Sequence, residues 1–247
     1  MTSSKSSPTS PSSWGTSGPS GPDRGATALV GPSTRPVFES LAERYDAWYD
    51  SPEGRLLFGL ESACLRPLVV GTSAPRLEVG VGSGRFAASL GIEVGLDPAA
   101  VPLRLAATRG VRAVRGAGEQ LPFAEQVFGA VVLVVTLCFV SDPAETVREA
   151  RRVLRPGGRL VVGLVPADSA WGRSYEEKGR CGHPFYRAAH FLTLAEHREL
   201  LERAGLEPSG ARSTLLRAPG DQRLAEEEVH DGVVPGAGFV ALTAGRR

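Results

Sequence analysis

The sequence contains very little lysine, isoleucine, methionine or asparagine. Only Lys5 and Lys178 among its 28 basic residues are lysines, Ile92 and Met1 are alone in their types, and asparagine is absent. These four residue types are encoded by A/T-rich codons, so the composition indicates a G+C-rich genome. The excess of arginine therefore gives no evidence for a guanidinium-rich binding surface.

Cysteine, net charge and long apolar runs are also scarce. The three cysteines, Cys64, Cys138 and Cys181, lie far apart and outside any C-x-x-C pair, which disfavours a disulfide framework or a cysteine-based zinc site. We therefore expect a reduced, cytoplasmic protein without a metal. Basic and acidic residues number 28 and 27, a balance that disfavours nucleic acid or a membrane surface as a partner. No stretch of about 18 apolar residues is present to span a membrane.

Residues 1–36 differ in composition from the rest of the chain. Ser, Pro, Gly and Thr fill 26 of these 36 positions, which leaves too few apolar side chains to offset the entropy of ordering. We predict a disordered tail here, and no apolar run follows Lys5 that would make it a secretory signal. From Phe38 onward apolar residues recur at helical or strand spacing, so one folded domain is predicted across residues 37–247.

Strands and helices alternate along this domain. We predict strands near 76–81, 92–97, 111–115, 130–135 and 159–164, with helices between them. Asp142 and Thr193 are expected to cap two further helices, and Pro156-Gly157-Gly158 to end the first of these. The continuous apolar run at 130–135 is typical of a central strand that is buried on both faces. The pattern predicts an open, mostly parallel α/β sheet.

A glycine-rich loop follows the first predicted strand. Its residues are Glu78-Val-Gly80-Val-Gly82-Ser-Gly84-Arg85. Such a loop lets the backbone turn tightly and approach a ligand in front of a helix N-terminus. Counted from Gly80, the dinucleotide fingerprint G-x-G-x-x-G requires a small residue where Arg85 stands, but counted from Gly82 it admits Ala87. Both a dinucleotide site and an ordinary strand-to-helix turn therefore stay open.

Asp97 follows the second predicted strand, within Gly95-Leu-Asp97-Pro98. A carboxylate at the carboxyl end of this strand can accept both hydrogen bonds of a ribose diol. The same residue could instead cap the helix that begins near Pro98. The two interpretations are compatible.

Four blocks together resemble the class I S-adenosylmethionine-dependent methyltransferases. They run from Glu78 to Gly84, Gly95 to Pro98, Gly118 to Phe123 and Glu149 to Gly158. The likeness is to the small-molecule branch with a type 11 domain, which includes the ubiquinone and menaquinone biosynthesis enzymes, and Tyr45-Asp-Ala-Trp-Tyr49 is similar to that branch's Y-D-x-W segment. The resemblance implies a Rossmann-like open sheet, mostly parallel with an antiparallel last strand and helices on both faces. It places the motif core at about residues 76–165.

The resemblance also implies S-adenosylmethionine as the cofactor. The matching cofactor-binding positions are Glu78, Gly80, Gly82, Gly84, Asp97, Gly118, Glu119 and Thr136. By this likeness the first acid orients the loop and the methionine amino group, and the three loop glycines pass close to the methionine and ribose. Asp97 binds the ribose hydroxyls, residues 118–119 flank the adenine, and Thr136 lies beside the transferring methyl. Ala117 stands where the family often has an aspartate that meets the adenine amino group.

The segment at about 167–191 is expected to contribute to the acceptor site. It is longer than the connections of ~2–6 residues that are usual between a strand and a helix, and it is rich in aromatic residues. His183 and Tyr186 are candidate catalytic residues within it, with His183 as a possible general base. The alternative is a surface excursion whose aromatic rings pack on the sheet.

The sequence as a whole predicts methyl transfer to an O, N, S or C atom of a small-molecule acceptor by in-line displacement. Two alternatives remain at this point, a nicotinamide-dependent oxidoreductase and a non-catalytic protein on a methyltransferase fold. The D/N-P-P-Y element of amino-methylating DNA enzymes is missing from Thr136 to Phe139. The acceptor and the oligomeric state carry no sequence signal.

Overall fold

The computed structural model of the protein describes residues 35–246, so the tail predicted at 1–36 lies outside the described residues except for the backbone of its last two. Its helices are α1 (Arg35–Ser40), α2 (Ala42–Trp48), α3 (Pro52–Val69), α4 (Arg85–Leu90), α5 (Ala100–Thr108), α6 (Pro143–Val153), α7 (Ala170–Arg180) and α8 (Leu194–Arg203), with short 3-10 helices at Tyr186–Ala188 and Leu224–Glu226. Its strands are β1 (Arg76–Val79), β2 (Val94–Asp97), β3 (Arg112–Arg115), β4 (Phe128–Val134), β5 (Leu154–Leu164), β6 (Glu207–Thr214), β7 (His230–Asp231) and β8 (Phe239–Gly245).

In this part of the chain the strands form one sheet in the order β3-β2-β1-β4-β5-β8-β6-β7. The neighbours from β3 to β5 pair in parallel. The last strand, β8, is antiparallel to β5 and β6, and β7 is antiparallel to β6. The predicted Rossmann-like sheet with an antiparallel last strand is confirmed. The strand order reverses between β1 and β4, and this reversal positions the site described below.

Helices cover both faces of the sheet. β4 is buried along its whole length, as the continuous apolar run predicts for a central strand. One face packs against α6 and α8 through Val147, Val153 and Leu201. The other packs against α3 and α4 through residues such as Leu57 and Phe86. The carboxyl ends of the parallel strands are left open between these two layers.

The predicted caps are present, but one predicted stop is wrong. The side chain of Asp142 accepts a hydrogen bond from the backbone of Glu145, and Thr193 forms a reciprocal capping box with Glu196. Helix α6 nevertheless ends at Val153, and Pro156-Gly157-Gly158 lies inside β5. The two glycines belong to a strand because Gly157 donates its N–H to the carbonyl of Arg246, whose N–H donates to Gly158.

Two further segments differ from the sequence prediction. The single first helix is divided into α1 and α2 at Leu41, whose backbone leaves the helical region with φ −118° and ψ 18°. The insert at about 167–191 contains a full helix, α7, capped by the side chain of Ser169. Its sequence is predominantly polar and offers few of the apolar positions from which a helix is predicted.

Candidate functional site

A cavity of about 490 Å³ opens at the carboxyl ends of β1, β2 and β4. Ligands of open α/β sheets bind at such a reversal of strand order, and the volume is within the range of cofactor and small-molecule sites. Six of the predicted cofactor-binding residues line this cavity: Gly80, Gly82, Asp97, Gly118, Glu119 and Thr136. Glu78 and Gly84 are not among its lining residues. The motif residues thus meet at one place in the fold.

The three loop glycines adopt left-handed backbone conformations for different reasons. At Gly80 (φ +73°) a Cβ atom would lie 2.5 Å from Cγ2 of Thr136, and at Gly84 (φ +80°) it would lie 2.8 Å from Cα of Ala106 in α5. These two glycines permit close packing within the protein. At Gly82 (φ +51°) a Cβ atom would meet nothing within 4 Å, so the space beside this cavity-lining residue is free for a ligand.

Asp97 connects the glycine loop to the start of α5. Its carboxylate accepts hydrogen bonds from the backbone N–H of Gly82 at 3.0 Å and of Ala99 at 2.9 Å. Burial raises the pKa of Asp97, although these two hydrogen bonds favour the ionised form and so oppose the rise. Asp97 is not the N-cap residue of the next helix, because α5 begins at Ala100 and its N-cap residue is Ala99. Glu39 of α1, which is far away in the sequence, caps α5 instead. Its carboxylate accepts a hydrogen bond at 2.7 Å from the backbone N–H of Ala100.

Glu78 is buried at the end of β1 with one oxygen unsatisfied. It is 2% exposed, and its Oε2 atom has no hydrogen-bond partner. Burial raises the pKa of Glu78 well above its ordinary value, although a backbone hydrogen bond from Ala87 favours the ionised form. A buried polar atom without a partner requires an explanation. The amino group of a bound methionine moiety is a donor that could satisfy it, so this residue fits the implied cofactor.

The predicted adenine end of the cavity is formed by the loop after β3. Gly118 leaves little room for a side chain, because a Cβ atom there would lie 3.0 Å from Thr146 Cγ2. The carboxylate of Glu119 accepts a hydrogen bond at 2.8 Å from the backbone of Ser141, so it also holds the turn before α6. Ala117 lines the same wall. It offers the adenine amino group no side-chain acceptor.

Val135, which precedes Thr136 at the end of β4, has a strained backbone. Val135 has φ +50°, a conformation that is a genuine outlier for a β-branched residue. Its N–H donates to the carbonyl of Gly163 at 2.8 Å, and the hydroxyl of Thr136 donates to the carbonyls of Val79 and Val134. Strain of this kind persists where the surroundings fix it, and it clusters at functional sites. Sequence reasoning missed Val135 because no residue pattern encodes it.

Helix α2 is tied to the glycine loop by a network of ion pairs. Arg85, the first residue of α4, pairs with Asp46 at 2.7 Å and with Asp50 at 2.8 Å. Arg109 reaches the same Asp46 at 2.8 Å and the carbonyl of Ser83 at 2.8 Å. Although burial opposes ionisation, hydrogen bonds from Arg85, Ser83 and Arg109 lower the pKa of Asp46 to about 2. The Y-D-x-W segment therefore attaches α2 to the wall of the cavity.

Aromatic rings close the cavity beside this attachment. Phe38 of α1 packs against Phe139 at 5.2 Å and against Phe185 of the insert at 5.4 Å. Tyr45 packs against Phe185 at 5.1 Å. Phe38, Tyr45 and Phe139 line the cavity. The insert thus approaches the cavity through Phe185, whose ring packs on the lining residues Phe38 and Tyr45.

The two candidate catalytic residues are not among the lining residues of the cavity. The ring of Tyr186 stacks between His183 and Tyr175, at 4.6 Å from each. Nδ1 of His183 is buried without a partner, and desolvation, aided by nearby Lys178 and Arg44, lowers the pKa of this imidazole. The geometry gives His183 and Tyr186 no direct access to the cavity. His190 lines it instead.

Metal and membrane sites were sought within residues 35–246. No group of three or more His, Cys, Asp or Glu side chains there could hold a metal ion. No helix in the same residues is long and apolar enough to cross a membrane. The cysteines Cys64, Cys138 and Cys181 are free thiols.

Known proteins resemble this chain in both sequence and fold. The model of a methyltransferase domain family matches residues 77–162. An uncharacterized protein of Mycobacterium tuberculosis is 47% identical over 219 residues, covering 87% of this chain and 77% of that protein. A demethylmenaquinone methyltransferase of a Roseiflexus species is 31% identical over 199 residues, covering 74% of this chain and 78% of that enzyme.

A crystal structure from Thermotoga maritima gives the same answer. It is described as an S-adenosylmethionine-dependent methyltransferase and possible histamine N-methyltransferase. Its TM-score is 0.79 and its sequence identity 31%, over 87% of this chain and 100% of that one. These matches decide against the nicotinamide-dependent alternative. The chain belongs to the class I S-adenosylmethionine-dependent methyltransferase family.

Proposed function

We propose that the protein transfers the methyl group of S-adenosylmethionine to a small-molecule acceptor, with both reactants bound in and beside the cavity between β1 and β4. One observation carries this proposal. Gly82, Asp97 and Thr136 line the same cavity, although Gly82 and Thr136 are 54 residues apart in the sequence. The names of two similar proteins support a small acceptor, since one specifies demethylmenaquinone and the other gives histamine as a possible acceptor.

Several residues of the cavity wall, together with Glu78, which directly precedes the lining residue Val79 in β1, share the binding of the cofactor. We propose that Asp97 accepts the ribose hydroxyls with the lone pairs that Gly82 and Ala99 leave free, and that Oε2 of Glu78 accepts from the methionine amino group. Gly118 and Glu119 flank the adenine. Each carboxylate is already fixed by a backbone hydrogen bond, which orients it before the ligand arrives and lowers the entropic cost of binding.

The chemistry requires position more than acid–base groups. When bound, S-adenosylmethionine supplies a methyl group attached to a positively charged sulfur, so that an O, N, S or C atom of the acceptor would attack the methyl carbon in line with the sulfur, which leaves. The aromatic rings of Phe38, Tyr45 and Phe139 exclude water and narrow the approach of the acceptor. Val135 and Thr136 hold the end of β4 beside this approach. The candidate base His183 is not required for an acceptor that arrives with a free lone pair.

Two alanine variants with matched backbone strain test the cofactor site. Gly82 and Gly91 have φ values of +51° and +70°, and a Cβ atom meets nothing within 4 Å at either. Both substitutions therefore impose a similar left-handed strain of ~1–2 kcal/mol, but only Gly82 lines the cavity. We expect calorimetry with S-adenosylmethionine to show at least tenfold weaker binding for Gly82→Ala and unchanged binding for Gly91→Ala.

The same pair of variants also shows what would contradict the site. Equal affinities in Gly82→Ala and wild type, with the fold intact by circular dichroism, would refute the assignment of the loop. Formation of S-adenosylhomocysteine with a panel of small acceptors then measures turnover. A protein that binds the cofactor but methylates no member of the panel would return the non-catalytic alternative to consideration.

A further inference from the structure

His190 lies between the cavity of the cofactor site and the surface of the protein. It lines the cavity, and it is also an exposed residue that contacts solvent. Neither of its ring nitrogens forms a hydrogen bond within residues 35–246, and no aromatic ring there packs on its imidazole. The imidazoles of His183 and His197 are occupied, the first by the ring of Tyr186 and the second by the carbonyl of Thr193. The imidazole of His190 is therefore free to meet a ligand.

The backbone around His190 is fixed beside the end of β4. Its N–H donates to the carbonyl of Cys138 at 2.8 Å. Cys138 lies two residues after Thr136, which the family resemblance places beside the transferring methyl. Two positions after His190, the carbonyl of Leu192 accepts a hydrogen bond at 3.0 Å from the N–H of Ala167. These contacts hold His190 on the same wall of the cavity as Thr136.

Four titratable side chains line the cavity, namely Tyr45, Asp97, Glu119 and His190. Burial raises the pKa of Tyr45 to about 12, so its hydroxyl keeps its proton at neutral pH. Asp97 and Glu119 are fixed by backbone donors and are assigned above to the ribose and the adenine of the cofactor. Imidazole is the side chain that exchanges a proton most readily near neutral pH. His190 is therefore the group of this wall that is suited to take a proton from an acceptor.

We propose that His190 is the general base of the methyl transfer, and that the atom of the acceptor that is methylated carries a proton which it loses in the reaction. The inference rests on the proposed function, because it names the base and the substrate class of the same site. A new bond forms between the acceptor atom and the methyl carbon, while the bond from that carbon to sulfur breaks and leaves its electron pair on sulfur. The proton of the acceptor moves to a ring nitrogen of His190. Because this residue is exposed, the proton then passes to solvent.

A base in this position restricts the chemical class of the acceptor. Phenols, thiols and protonated amines must lose a proton as they are methylated, so a general base accelerates their reaction. A thioether or a pyridine attacks through a lone pair without losing a proton, and it gains nothing from a base. The acceptor is therefore a phenol, a thiol or an amine. The insert at 167–191 supplies its base from His190 rather than from His183, which does not line the cavity.

Turnover of acceptors with and without a proton to lose tests the substrate class. The proton-bearing probes are phenol, 1-naphthol, benzyl mercaptan and benzylamine, and the proton-free probes are benzyl methyl sulfide and pyridine. Each is added to the full-length protein with S-adenosylmethionine, and the formation of S-adenosylhomocysteine is measured. We expect at least one proton-bearing probe to be methylated tenfold or more faster than either proton-free probe.

Two alanine variants locate the effect. With the fastest probe, His190→Ala should lower kcat by about 10²- to 10⁴-fold, the range for a general base, and leave the Kd of S-adenosylmethionine close to that of the wild type. Free imidazole added to His190→Ala should restore part of the lost rate, which a merely structural role would not allow. His230→Ala is the matched control, because His230 lies on the edge strand β7 and does not line the cavity. It should turn over as the wild type does.

The dependence of kcat on pH identifies the group that takes the proton. Imidazole accepts a proton only in its neutral form, so the wild-type rate should fall as the pH decreases from about 8 to about 5, and His190→Ala should lack this fall. The pKa values of Tyr45 and Cys138 are raised by burial to about 12, outside this range. The other titratable or charged groups of the cavity wall and the insert stay in the variant, and they include Asp97, Glu119, Lys178, His183 and Arg187.

The outcomes separate this inference from the function on which it rests. If the wild type methylates none of the proton-bearing probes faster than the proton-free ones, or if His190→Ala keeps the wild-type kcat and pH profile, the inference is overturned. The comparison of probes needs no variant, so it decides even where His190→Ala folds poorly. A wild type that methylates a proton-free probe retains the proposed function without this base. A wild type that does not bind S-adenosylmethionine would instead overturn the proposed function.

Discussion

Replacing Glu61 by glutamine should change how the stability of the fold depends on pH. Burial raises the pKa of this carboxyl group from 4.5 to about 8, so the folded protein binds the proton more tightly than the unfolded chain does. Between these two pH values the unfolded chain has released the proton and the folded one has not. The contribution of Glu61 to the free energy of unfolding is therefore full below about pH 4.5 and is lost as the pH rises through about 8.

The size of the effect follows from the shift. Each pKa unit corresponds to 1.36 kcal/mol, so ionising the buried acid removes stability of the order of 5 kcal/mol by pH 8. Domains of this kind are stable by only about 5–15 kcal/mol. A glutamine does not titrate, so the difference in unfolding free energy between Glu61→Gln and wild type should rise by about 1.4 kcal/mol per pH unit from pH 5 to pH 8.

Urea unfolding followed by tryptophan fluorescence, at one-unit steps from pH 5 to pH 8, measures this difference. The groups on which the charge of Glu61 acts do not titrate in that window, because burial raises the pKa of Cys64, Tyr45, Tyr49, Tyr175 and Tyr186. The imidazole of His183, which stacks on Tyr186, is present in both proteins and cancels in the difference. A flat difference for Glu61→Gln would refute the reasoning, since it would mean that this acid ionises at an ordinary pKa.

Two further predictions concern acids of the cofactor site. Asp46→Asn should lower both the melting temperature and the affinity for S-adenosylmethionine, because it weakens the pairs to Arg85 and Arg109 that attach α2 to the glycine loop. Asp50→Asn should change neither measurably, since Asp50 is 65% exposed and exposed pairs contribute little. Asp97→Ala should weaken cofactor binding by about 1.5–3 kcal/mol and also lower the melting temperature, because it removes the hydrogen bonds to the backbone of Gly82 and Ala99. An affinity loss without destabilisation would show that the ribose contact acts alone.

Local patterns predicted the parts of the site that lie on one strand or turn. The glycine loop and Asp97 were found because a strand, a tight turn and a helix N-terminus each have their own residue preferences. The parallel sheet then brings their carboxyl ends together without further information. Gly80 and Gly84 were assigned to the ligand by resemblance. The structure adds a packing reason for each, which depends on Thr136 and Ala106, and neither partner can be read from the loop itself.

Long-range partners could not be predicted in this way. Asp46 meets Arg85 and Arg109, which are 39 and 63 residues away in the chain, and no periodicity links such positions. Helix α7 was missed because its apolar positions are few, although folding buries one of them, Trp171, which is 1% exposed.

The buried acids of this chain indicate where the folded protein remains incomplete without its ligands. Burial raises the pKa of Glu61, Glu78 and Asp97, and within residues 35–246 no arginine or lysine lowers any of the three. Asp46, which has arginine partners, shows the opposite shift. Selection for stability alone would pair or replace such acids. The presence of Glu78 and Asp97 is explained if the missing donors arrive with the ligand, as the amino group and ribose of S-adenosylmethionine. On this view one physical rule, that a buried acid needs a donor, accounts for both acids of the cofactor site.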